Sequence, residues 1–299
     1  MAKFIMGTAD DWGEATQRNE YLAEQLLRGR LALLLGAGIS KPFNLPIWKG
    51  IVNDLYSRKE DTPPEGTLTY QAEIFRHRHY QDDQDGFPKA VGDCLYDDAK
   101  ISFEALRANA TLGAIGSLVM ASMRGRAGSV VTFNWDNLLE MYLKYHGVVT
   151  ASIPWERHWN ESVDVCVLHP HGLIEYETRK VLGKLVFDQS SYAIVQEQAW
   201  EPTLMSILYR HTCLLIGLGV TDPHLDSLLF KAKNLNASNE HSTLYWAVNF
   251  ARNPKPEDRK MWHDRGVYCW SVTDFETDLP RVLFDICQRA AGLIKEGRS

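Results

Sequence analysis

Five consecutive apolar residues, Leu31-Ala32-Leu33-Leu34-Leu35, run directly into Gly36-Ala37-Gly38-Ile39-Ser40, and this juncture constrains the fold more than any other stretch. A strand that is apolar at every position has no face to turn to water. It must lie in a sheet covered on both sides, as parallel sheets are. The glycines that follow allow a tight turn and expose amide groups, an arrangement suited to a pyrophosphate near a helix start. Lys41 stands where the common dinucleotide fingerprint would have a third glycine. No Gly-Lys-Ser/Thr follows, so the loop is not a P-loop.

The same order, an apolar strand and then a polar loop, recurs three times. Val130 and Val131 lead through Thr132 and Phe133 to Asn134 and Asp136, and Leu138 and Leu139 open a helix. Val165–Leu168 leads to His169, His171 and Gly172. Leu214–Ile216 leads to Gly217, Gly219 and Asp222-Pro223, with Leu225, Leu228 and Leu229 at helical spacing behind. Polar residues at the carboxyl ends of parallel strands occupy the edge where open sheets bind ligands. The expected class is therefore α/β, a Rossmann-like parallel sheet flanked by helices.

Each motif taken singly has a plainer reading. Asp136 or Asn137 would cap a helix, and Asp222 would cap one that begins at Pro223. His171 would be a satisfied histidine before a turn glycine. His169 and His171, two residues apart, could share a face as metal ligands, but no third and fourth ligand stands nearby. Arg76-His77-Arg78-His79 reads as a solvated helix face before it reads as a nucleic-acid patch. The nine tryptophans are expected mainly in packing, with shaping of the pocket as the alternative for Trp135.

Composition narrows the class further. A length of 299 residues gives room for one large α/β domain with an inserted lobe. A formal net charge of -6 gives no support for a nucleic-acid surface. The amino terminus is too poor in apolar residues for a secretory signal, and no stretch approaches the roughly 20 apolar residues that span a bilayer. Of the five cysteines, the closest two, Cys269 and Cys287, are 18 residues apart, so no Cys-x-x-Cys zinc knuckle can form. Unpaired thiols suit a reducing compartment, and the expected location is the cytoplasm.

Periodicity predicts a helix over Glu14–Arg28 and another carrying Trp48, Ile51, Val52 and Leu55 on one side. A polar breaker at 57–66 precedes helices that continue to about Arg126. A short strand pair around Val181–Phe187 and a helix over Glu201–Arg210 follow. Strands resume at Cys213–Ile216, Thr243–Val248 and Val267–Trp270, and a helix over Leu279–Lys295 closes the chain. The expected organisation is a single domain. Its core comprises about 29–56, 127–172 and 211–299, and about 57–126 and 173–210 form a helical and insert lobe.

Gly-Ala-Gly-Ile-Ser at 36–40, Thr132-x-Asn134-x-Asp136, His171-Gly172 and Gly217-x-Gly219 stand in the order found in sirtuins. With Leu45-Pro46-Ile47-Trp48, Phe187-Asp188-Gln189-Ser190-Ser191-Tyr192 and Thr221-Asp222-Pro223-His224-Leu225, the chain resembles the zinc-free SIR2-like domains of bacterial anti-phage defence. It departs from the deacetylase branch in lacking the paired cysteines, in carrying Phe133 where deacetylases have Gln, and in having Leu45–Trp48 where they have Pro-Asp-Phe-Arg. Both replacements point away from peptide-lysine chemistry.

The resemblance implies an NAD+ glycohydrolase that takes NAD+ as substrate and releases nicotinamide and ADP-ribose, with no metal. On that basis Gly36, Ala37, Gly38 and Ser40 would wrap the pyrophosphate, with Thr132 among the binding residues. Asp136 would meet the nicotinamide carboxamide, and Asn134 would orient water or the ribose. His171 would hydrogen-bond the ribose hydroxyls and could act as a base. Gly217, Gly219 and Val220 would line the adenosine half, with Asn249 adjoining. The role implied is NAD+ depletion on phage infection, controlled by homo-oligomerisation, by a separate ATPase/helicase-like or Argonaute-like protein, or by both. The alternatives are an NAD-dependent deacylase or ADP-ribosyltransferase, and a non-catalytic NAD+ or ADP-ribose sensor.

Overall fold

The apolar run does form a strand, β1 (Leu31–Leu35), buried at every position. A computed structural model of the chain describes residues 15–83, 85–155, 162–197, 200–219, 222–236 and 246–295. In it β1 pairs in parallel with β2 (Ser129–Thr132) on one side and with β7 (Thr212–Ile216) on the other. Outward from β2 lie β4 (Val165–Leu168) and then β3 (Thr150–Ile153), while outward from β7 lie β8 (Ala247–Arg252) and β9 (Val267–Val272). All seven strands run parallel, in the order β3-β4-β2-β1-β7-β8-β9. The chain works outward from β1 in one direction and later returns to build the other half. The edge above β1 is thus a place where the strand order reverses, the usual position of a ligand crevice.

Helices cover both faces, which is why the strands tolerate no polar alternation. Leu31, Leu33 and Leu35 pack into one core with α1 (Ala15–Leu27), α6 (Ala110–Val119), α7 (Leu138–Tyr145) and α12 (Asp278–Lys295). Ala32 and Leu34 pack into the other with α8 (Gln189–Glu197), α9 (Trp200–Arg210), α10 (Pro223–Asn236) and α11 (Pro256–His263). Full burial of each leucine contributes about 1.5–3 kcal/mol, so a polar residue anywhere in β1 would be strongly disfavoured. Between β1 and α6 the chain forms α2 (Trp48–Arg58), α3 (Leu68–Tyr80), α4 (Gly86–Tyr96) and α5 (Phe103–Ala108). Ile51, Val52 and Leu55 of α2 are buried, as their spacing requires.

Several elements differ from expectation. Strand β3 carries only four residues, Thr-Ala-Ser-Ile, with the half-buried alternation of an edge strand, too weak a pattern to read from sequence. Helices α8 and α11 also have no counterpart among the expected elements. The expected strand pair around Val181–Phe187 is instead a two-residue hairpin, with β5 (Leu173–Ile174) antiparallel to β6 (Val181–Leu182). Residues 243–245 of one expected strand lie outside the described residues, and β8 runs on to Arg252.

The cationic run on α3 is matched by carboxylates. Arg76 pairs with Asp188, and Arg78 and His79 reach Asp61 at 3.2 and 2.9 Å. Arg76 thereby ties α3 to the segment before α8. The five cysteines are free thiols, and among the described residues no helix is long and apolar enough to cross a membrane.

Candidate functional site

A cavity of about 400 Å3 opens at the carboxyl ends of β1, β2, β4 and β7. Its floor is set by contact between two glycine loops. After β1 the backbone enters two short 3-10 turns, Ala37–Ile39 and Lys41–Phe43. The Gly36 amide donates to the Ile216 carbonyl at 2.9 Å and the Gly38 amide to the Gly217 carbonyl, also at 2.9 Å. A Cβ on Gly38 would stand 2.6 Å from the Gly217 Cα, and Gly217 itself has φ +72°. Glycine is thus required at both positions by the close approach of the loops and by a backbone conformation that L side chains disfavour.

This packing changes what the first loop can offer a ligand. The Ile39 and Ser40 amides are also bonded within the loop, to the Gly36 and Ala37 carbonyls at 3.1 Å each. Of the amides of residues 36–40, only that of Ala37 has no backbone acceptor among the described residues. The loop therefore does not form the open amide cradle expected of it. Positive charge at the cavity comes from Lys41 and Lys49, which line it and carry no ion pair among the described residues.

Ser40 links the first loop to the end of β2. Its hydroxyl donates to Asp136 Oδ2 at 2.7 Å and accepts from Asn134 Nδ2 at 3.0 Å. The Leu138 amide donates to Asp136 Oδ1 at 3.2 Å, so Asp136 also caps α7, as the plainer reading held. Burial pushes the Asp136 carboxyl up to about 6, and the bonds from Ser40 and Leu138 only partly oppose it. Asn134 Oδ1 accepts no protein hydrogen bond among the described residues. Asn134, Asp136, Ser40, Ala37, Gly36, Gly38, Gly217 and Gly219 all line the cavity. Phe133 and Trp135 line it too, and Trp135 packs on Phe187 with ring centroids 5.1 Å apart.

The two histidines after β4 separate. His169 is buried away from the cavity, with Nε2 2.6 Å from Glu140 Oε1, and Ser152 donates to the same oxygen at 2.7 Å. His171 lines the cavity. Its Nε2 lies 3.1 Å from Nδ1 of His224, and its Nδ1 lies 3.9 Å from Asp222 Oδ2. Tyr192 donates to that same Asp222 oxygen at 3.0 Å. Asp222 caps α10 by accepting the Leu225 amide at 2.9 Å, and it lines the cavity as well. Burial holds His171 and His224 down near 3, so both rings are neutral across the physiological range. Among the described residues no group of three or more His, Cys, Asp or Glu is placed to hold a metal ion.

Three residues expected at the site are placed elsewhere or are not described. Thr132 is buried behind the cavity, where its hydroxyl accepts the Asn134 amide at 3.2 Å and so positions Asn134. Asn249 is buried within β8 and does not line the cavity. Val220 lies outside the described residues. Sequence reading missed Tyr192, His224, Lys49 and the wall formed by Asp222. Tyr192, Asp222 and His224 stand in two segments that carry the resemblance, Phe187–Tyr192 and Thr221–Leu225, but the sequence alone assigns none of them a role at the site.

Residues 128–269 match the SIR2-like domain family. SIR2-like domains use NAD+. The match begins after the first glycine loop, yet Ser40 and Gly38 of that loop bond directly to the matched segment through Asp136, Asn134 and Gly217. The cavity wall at the end of β2 is thus completed by a residue 96 positions upstream of Asp136. No curated protein matches the chain.

Proposed function

We propose that this SIR2-like domain hydrolyses the nicotinamide–ribose bond of NAD+ to nicotinamide and ADP-ribose. The observation that carries the reading is the chain Asn134–Ser40–Asp136 at the end of β2, facing His171 across one cavity. The nicotinamide of NAD+ is a cationic leaving group. When the C1′–N bond breaks, the electron pair goes to the pyridine nitrogen and no general acid is needed. The site must instead hold an oxocarbenium-like ribose and deliver water to it.

Asn134 has its amide N–H groups directed by Ser40, which leaves Oδ1 to accept from a water aimed at C1′. The water oxygen bonds to C1′ and its proton is lost afterwards, so a strong base is not required. Asp136, held by Ser40 and Leu138, meets the carboxamide and offers negative charge to a cation whose charge moves from the pyridinium to the ribose. His171 adjoins the ribose. Lys41, Lys49 and the Ala37 amide supply the counter-charge for the pyrophosphate that the closed loop amides do not. The replacement of the deacylase Gln by Phe133, which lines the cavity, supports water over a peptide acceptor.

A role in NAD+ depletion during phage infection, in the cytoplasm and under control of self-assembly or a separate partner protein, rests on the resemblance alone. Nicotinamide release from NAD+ by the native chain, Asn134→Ala and His171→Ala, over a range of protein concentrations, tests the reading. Loss of each group should lower release by about a hundredfold or more, the scale on which a preorganised polar contact acts. NAD+ binding without release at any concentration would favour the sensor alternative.

A further inference from the structure

His224 is fully buried, has no place in the hydrolytic scheme, and leaves one nitrogen without a partner among the described residues. It is the second residue of α10, and its ring stacks on His171 with centroids 5.3 Å apart and planes 25° apart. Its Nδ1 faces His171 Nε2 at 3.1 Å, while its own Nε2 is buried with no hydrogen-bond partner among the described residues. Two neutral imidazoles sharing one hydrogen bond have two possible proton arrangements, and the orphaned nitrogen discriminates between them.

If His171 donated from Nε2, the proton of His224 would sit on Nε2, a buried N–H with no acceptor. If His224 donates from Nδ1, its Nε2 is a bare lone pair, and an unmet buried acceptor is better tolerated than an unmet donor. The second arrangement puts the His171 proton on Nδ1. The Asp222 carboxyl, 3.9 Å from His171 Nδ1, lies on the side that a proton at Nδ1 would favour.

We propose that His224 is a positioning residue that fixes His171 in the Nδ1–H tautomer. His171 then has no free lone pair and presents a donor to the cavity. In the hydrolytic reading, on which this last step alone rests, a ribose hydroxyl meeting His171 accepts its hydrogen bond, and His171 is not the base.

The tautomer is read directly from long-range 1H–15N correlation spectra of protein with 15N-labelled histidine, recorded at neutral pH without substrate. The native His171 should show a protonated Nδ1 and a bare Nε2. His224→Asn, whose amide N–H can replace the Nδ1 donor, should keep that pattern. His224→Phe should give a mixture or the Nε2–H form. A native His171 protonated on Nε2, or an unchanged tautomer in His224→Phe, overturns the proposal. Because no turnover enters the measurement, a failure of the hydrolytic reading leaves its outcome intact, and the native spectrum decides the tautomer even where a variant does not fold.

Discussion

Asp136 and Glu140 are four residues apart, both buried, and both at the carboxyl side of β2, yet their carboxyl groups are driven in opposite directions. Burial raises both. At Asp136 the only opposing bonds come from a hydroxyl and a backbone amide, and the charge of Glu140 adds to the rise, so the group ends at about 6. At Glu140 the charge and hydrogen bond of His169, with the Ser152 hydroxyl, outweigh burial and hold the carboxyl below its usual range. Glu140 is closed off from the cavity by its partners, whereas Asp136 forms part of the cavity wall. A buried carboxyl that pairs with a buried histidine and a hydroxyl is favoured in its ionised form. One given only neutral donors is held at a cost, which is the pattern expected where a cationic ligand completes the site.

The sharpest way to break this comparison is to remove Glu140. Glu140→Ala leaves His169 buried without its partner and should lower unfolding stability at pH 7 by about 3–5 kcal/mol, read by chemical denaturation. Because the folded Glu140 value is depressed, its contribution is present above the unfolded carboxylate range and is lost as pH falls. The deficit of the variant should therefore shrink on acidification. A loss below about 1 kcal/mol at neutral pH would mean that the pair contributes little.

Asp136→Asn should act in the opposite sense. A folded value raised from 3.8 to about 6 makes the native protein gain stability as pH falls between those limits, so above 6 the ionised group is a net cost. The variant should be more stable than the native protein at pH 7 by up to about 3 kcal/mol, a difference that vanishes toward pH 4. At the same time it should lose affinity for NAD+. Equal pH profiles for the two proteins would show that Asp136 is not perturbed.

The smallest effect is expected from Ser40→Ala. It removes the donor to Asp136 and the acceptor of Asn134 together, and should cost about 1–2 kcal/mol. Since the Ser40 bond lowers the Asp136 value, its loss should move the pH at which stability changes further upward, above about 6. A downward movement would place the hydroxyl's influence elsewhere.

The class of fold, and the gathering of nine of the twelve expected site residues at one cavity, were legible because they depend on local pattern. An apolar run with no alternation requires a doubly covered strand, and β1 is one. Glycine after such a run requires a tight turn, and Gly36, Gly38 and Gly217 make it. What each polar group does was not legible, because its partner is distant in the chain. Ser40 reaches Asp136 across 96 residues, His171 meets His224 across 53, and His169 turns to Glu140 across 29. Two histidines of identical spacing and setting therefore have opposite roles, one closed into a structural pair and one lining the cavity. The glycine loop's amides likewise look available in sequence and are taken up by the neighbouring loop once β1 and β7 lie side by side. Hydrophobic periodicity fixes which face of an element is buried, but hydrogen bonding and charge depend on which groups end within about 3 Å of one another, and only the packed tertiary structure decides that.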